Sequence, residues 1–134
     1  MNEYQKYKEN SIYSMSGQEL LLLLYDEAIK RLKKAEYALE DKEYAIFNDS
    51  IARTSKIIQY LISILDMQQP VSQDLRRIYN YLVYDLSRIK SGRERQKDEI
   101  GRVSHILTEL RDAFDEAGRQ TGDTHKPEIR SVWG

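Results

Sequence analysis

The chain has 134 residues, about two-fifths apolar and one-third charged, with a formal net charge of -1 and no cysteine. This is the length and balance of one ordinary domain that needs neither disulfide nor metal to fold. The near-neutral charge gives no drive toward nucleic acid or anionic lipid, thiolate chemistry is excluded, and the longest apolar run, Leu20 to Tyr25, falls far short of a membrane span. With no charged-then-apolar leader at its start, the chain is expected in the cytoplasm.

Residues 1–15 are polar but carry Tyr4, Tyr7, Ile12 and Tyr13. A helix start follows at once. Ser16-Gly17-Gln18-Glu19 has capping-box spacing, with Ser16 as N-cap and Glu19 at N3, and Met15 and Leu20 stand where a hydrophobic staple would form. Leu21, Tyr25, Ala28, Leu32, Ala35 and Leu39 then step by fours and threes along one helix face. The charged stretch 40–43 marks a turn.

A second helix is expected over about 44–66, with the stripe Phe47, Ile51, Thr54, Ile58, Leu61 and Leu65, stopping before Pro70. Ser72 is a candidate cap for the third, with Asp74 favourable in its first turn and the stripe Leu75, Tyr79, Leu82, Leu86 and Ile89. Ser91-Gly92 breaks the pattern. The fourth is expected over about 95–117, with Ile100, Val103, Leu107, Leu110, Phe114 and Ala117 in register and Gly118 as the residue that ends it.

Four long helices and short turns specify an all-α, antiparallel up-down four-helix bundle over 16–118, with the segment 1–15 packing on it and a flexible tail over 119–134. Several helices also carry apolar residues off the main stripe. Leu22 and Ile29 lie so on the first, Ile57, Tyr60 and Ile64 on the second, and Ile78, Tyr81 and Tyr84 on the third. These eight are the candidate residues for binding another polypeptide, because surplus apolar and tyrosine surface marks an interaction site. Broad apolar faces also arise on a helix central to its bundle, so core packing stands as the alternative. Tyr4, Tyr7, Ile12 and Tyr13 are candidates for a lid over the same surface, or else for a permanent wall of the core.

Chemical motifs are missing. His105 and Glu109 sit one turn apart without a second ligand pair, and His125 lies in the tail with Trp133, so no metal site is expected. No phosphate-binding or nucleophile-elbow motif occurs, so neither an enzyme, nor a cofactor, nor a small-molecule substrate is expected. Arg76-Arg77 and Arg93-Glu94-Arg95 are basic but diluted by acids, which argues against nucleic acid.

The order of motifs resembles the FliS family of flagellar secretion chaperones over nearly all of residues 4–117. Tyr4-Gln5-Lys6-Tyr7 precedes the helix start. Ser16-Gly17-Gln18-Glu19-Leu20 and Leu24-Tyr25-Asp26-Glu27-Ala28-Ile29 are similar to that family's most characteristic stretch, and Ile51-Ala52-Arg53-Thr54, Ile78-Tyr79-Asn80-Tyr81-Leu82 and Leu110-Arg111-Asp112-Ala113-Phe114 to its later helices. Gly17 departs from the usual proline, Glu27 from glycine, Thr54 from alanine and Phe114 from tryptophan. The resemblance implies a bundle that binds the C-terminal segment of flagellin, prevents premature polymerisation and keeps it export-competent, with the flagellar export gate as a further partner. A helical adaptor or secretion chaperone with a different client is the alternative.

Overall fold

The computed structural model describes residues 16–120, which form four α-helices: α1 (Gly17–Glu40), α2 (Tyr44–Ser63), α3 (Pro70–Gly92) and α4 (Lys97–Gln120), with a short 3-10 turn (Arg93–Gln96) before the last. Among the described residues every regular element is helical. The calls on Met15, on the segment 1–15 and on 121–134 fall outside them.

Sequence chemistry explains most helix ends. The Ser16 hydroxyl accepts from the Glu19 amide at 3.1 Å, the capping contact expected of it. α1 closes in a Schellman arrangement: the Glu43 amide donates to the Ala38 carbonyl at 2.8 Å and the Lys42 amide to that of Leu39 at 3.1 Å. Such a turn needs a left-handed residue, and here Lys42 supplies it with φ 56° rather than a glycine.

Three expected boundaries differ. α2 stops at Ser63, because Asp66 starts a turn in which its carboxylate accepts from the Gln68 amide at 3.0 Å. α3 starts at Pro70 rather than after Ser72. Proline at the first helical position loses no hydrogen bond and already has helical φ, so Gln69 is the N-cap and Ser72 is buried within the first turn. α4 continues through Gly118 to Gln120. A Cβ at Gly118 would lie 2.6 Å from Nε2 of Gln18, which itself donates to the Phe114 carbonyl at 2.6 Å, so this glycine serves the close approach of α1 to α4 rather than a helix end.

Each helix packs against its sequence neighbour, and α1 closes the ring against α4. The core holds Tyr25, Ala28, Leu32, Ala35 and Leu39 of α1, Phe47, Ile51, Ile58 and Leu61 of α2, Leu75, Tyr79, Leu82, Leu86 and Ile89 of α3, and Ile100, Val103 and Leu107 of α4. The expected stripes supply nearly all of it, each large side chain contributing about 1.5–3 kcal/mol when fully buried. Leu21, Leu65, Leu110 and Phe114 are only partly buried, and Ala117 is exposed. Inside, the hydroxyls of Tyr25 and Tyr79 hydrogen-bond to each other, and Phe114 stacks on Tyr25 with ring centroids 5.8 Å apart.

Candidate functional site: an open seam between α3 and α4

Among the four helix–helix seams, α3 and α4 pack least closely. Their register is fixed near the connecting turn. The Asp85 carboxylate, 2% exposed, accepts from the Arg102 guanidinium, whose Nε also donates to Glu99 at 2.6 Å. Hydrogen bonds from Arg102 to Asp85 first and Glu99 second hold its pKa above the ordinary range. The guanidinium lies over the Tyr81 ring, 5.4 Å from its centroid.

Away from this latch the seam is apolar. One turn on from Arg102, α4 presents Ile106, then Leu110 and Phe114; the antiparallel α3 presents Tyr81, Ile78 and Val71. Ile78, Ile106, Leu110 and Phe114 are partly buried against the core, while Tyr81 is 51% exposed and Val71 is exposed. At the far end the seam runs into a cleft of about 220 Å³ lined by Leu21, Leu61, Leu65, Val71, Leu75 and Phe114. Such half-buried surface gains most when a partner completes its burial, at about 25 cal/mol per Å² before association costs.

The eight candidate residues do not form one patch. Ile78 and Tyr81 line the seam just described. Tyr84, 62% exposed, points straight outward from α3. Ile57 and Tyr60 share a row with Arg53 on the flank of α2 opposite Ala52, Ser55 and Gln59; those three line a groove with α3, so the Ile57 flank turns toward α1. Leu22 and Ile29 turn toward α4. Leu22 lies between Gln18 and Asp26, one turn from each; Gln18 bonds the Phe114 carbonyl, and Asp26 accepts from Arg111 at 2.9 Å. Ile64 departs from the expected exposed stripe. It is 8% exposed and belongs to the core. Its amide still donates to the Tyr60 carbonyl at 3.2 Å, so it keeps its place on the α2 row that turns toward α1, and it lines the cleft with Leu21, Leu75 and Tyr79.

Sequence reasoning missed Ile106, Val71 and Gln18. Ile106 lies between two members of the α4 stripe and reads as its edge; Val71 was hidden by placing the start of α3 three residues late. Tyr4, Tyr7, Ile12 and Tyr13 lie outside the described residues.

Among the described residues no group of three potential ligands could hold a metal ion, and His105 makes only an exposed pair with Glu109 at 2.9 Å. No described helix is long and apolar enough to cross a membrane. What the geometry offers is surface for another polypeptide.

A family described as "Flagellar protein FliS" matches residues 1–121 of the chain. The flagellar secretion chaperone FliS of Bacillus subtilis (strain 168) is 26% identical over 116 residues, covering 87% of this chain and 86% of that protein.

Proposed function

Because the chain belongs to the FliS family of flagellar secretion chaperones, we propose that it binds the C-terminal segment of flagellin in the open seam between α3 and α4. The family is a chaperone family, which is not an enzyme class. The observation that carries the proposal is the seam itself: a row of half-buried apolar side chains on two antiparallel helices that pack less closely than the other pairs.

An amphipathic client helix laid along Ile78, Tyr81, Ile106 and Leu110 would present apolar residues at three- and four-residue spacing, the helix-in-groove mode of recognition. The client's own sticky face is then covered, which blocks its self-association before export and keeps it loosely folded. Ordering the client offsets part of the contact energy, so release remains possible without nucleotide hydrolysis. The cytoplasm is the compartment in which such a complex would form, and the export gate is the partner that would receive it.

Co-purification with a flagellin C-terminal peptide tests this reading. A stable one-to-one complex is expected, and it should be lost when Ile106→Asp is introduced into a chain that keeps its helicity. A chain that ignores this peptide while retaining another flagellar client would favour a different client instead.

A further inference from the structure

A second surface lies on the other side of α3, between α2 and α3, where basic side chains border a groove. Ala52 and Ser55 of α2 and Val83 and Ser87 of α3 are small or short, and they leave a groove of about 410 Å³ between the two helices. That groove shares Ser87 and Lys90 with a cavity of about 680 Å³ beside the α3–α4 turn, lined by Asn48, Ser91, Arg93 and Arg95 as well. Four cations therefore border one continuous channel: Lys56, Lys90, Arg93 and Arg95.

Among the described lining residues the single acid is Glu94, whose carboxylate offsets one of the four cations. Glu94 accepts from the Tyr44 hydroxyl at 2.8 Å. Lys56 and Lys90 are exposed and form no ion pair among the described residues. The turn is also preset. Arg93 adopts φ 52°, a conformation L side chains disfavour, and its guanidinium is stacked 4.0 Å over the Tyr44 ring. Basic side chains at a helix C-terminus complement its dipole, which accounts for Lys90 and for Arg95, whose Nε reaches the Gly92 carbonyl at 3.5 Å. It does not account for Lys56, which lies on α2 far from that terminus, nor for the channel that joins them.

We infer that this channel is a second docking site, one that accepts an acidic segment of a protein partner. Short residues along its floor let a chain approach the backbone closely, and the border cations meet carboxylates spaced along it. Net charge conceals the feature: the chain as a whole carries -1, yet these four cations border one groove. Because the channel lies across α3 from the apolar seam, both surfaces can be occupied at once.

The test uses the full chain and a fluorescein-labelled deca-glutamate peptide as probe, titrated by fluorescence anisotropy at low salt. Saturable binding is expected, weakened about tenfold by Lys56→Glu/Lys90→Glu and also by Arg95→Glu, as expected when steering charges are reversed. Lys30→Glu/Lys34→Glu, an equal charge change on exposed positions of α1, should leave it unchanged, and all variants should keep wild-type helicity. Equal losses in the α1 control would overturn the site, as would the absence of saturable binding. Tighter binding of a single-stranded oligonucleotide, with the same dependence on Lys56 and Lys90, would overturn the assignment to a protein segment.

Discussion

Arg102 of α4 donates to the buried carboxylate of Asp85 on α3, and this one pair closes the turn-proximal end of a seam that stays open toward Phe114. A buried carboxylate is costly without its partner, whereas an apolar replacement of both can be nearly neutral. Arg88, whose nearest approach to Asp85 is 3.7 Å, would compensate only in part. Arg102→Leu should therefore lower stability by about 2–3 kcal/mol in urea unfolding, and Asp85→Leu/Arg102→Leu should recover most of the loss. A single variant as stable as wild type would mean that the pair does not hold the seam.

The Tyr25–Tyr79 pair makes stability sensitive to alkali. Burial raises the pKa of both hydroxyls above their ordinary value of 10.0. The unfolded chain therefore releases these protons near pH 10 while the folded chain keeps them. The contribution is whole below that pH and is lost as pH rises beyond it, by up to about 1.4 kcal/mol per pH unit for each tyrosine. Tyr25→Phe/Tyr79→Phe should flatten the decline, measured by urea unfolding between pH 9 and about 11. Tyr25→Phe alone should be less stable than the double variant at neutral pH, since it leaves one buried hydroxyl without a partner.

Lys42 holds the left-handed position of the α1 Schellman turn with φ 56°. Glycine adopts that conformation freely, whereas a lysine there bears a steric cost of about 1 kcal/mol. Lys42→Gly should raise the melting temperature, and Lys42→Val should lower it. Equal melting temperatures for the two would show that the turn does not constrain that residue.

The stripes that built the core were legible because each repeats at three and four residues over a long helix: Phe47, Ile51, Ile58 and Leu61 read the same way in the sequence as in the fold. The surface was harder to read. Periodicity tells that Ile57, Ile64, Tyr81 and Tyr84 lie off the main stripe, but not which neighbour each flank faces. That depends on helix order and on where a helix ends. Ile64 illustrates it: it shares a row with Ile57 and Tyr60, yet at the end of α2 it is covered and lies in the core beside Leu21 and Tyr79. The basic channel was hidden for a related reason, because Lys56 and Lys90 are distant in sequence and come to border one groove only through the packing of α2 on α3.

That difference has a measurable consequence. Ile64→Ala should cost about 2–4 kcal/mol through lost burial and a residual cavity. Tyr84→Ala should stay within about 0.5 kcal/mol of wild type, as surface changes do. Thermal melts of the two variants decide it; similar costs would place Ile64 at the surface.

The most direct test of the flagellin-binding seam exploits the absence of cysteine from the sequence. Single thiols introduced by Tyr81→Cys and Val71→Cys report on the seam, and Tyr37→Cys reports on an exposed site of α1. Their rates of reaction with a maleimide dye are compared with and without a saturating flagellin C-terminal peptide. Protection of about tenfold at 81 and 71, with an unchanged rate at 37, is the expected result, since a docked helix excludes reagent only where it lies. A peptide that binds while both seam thiols react at their free rates would contradict the assignment of the client to this seam.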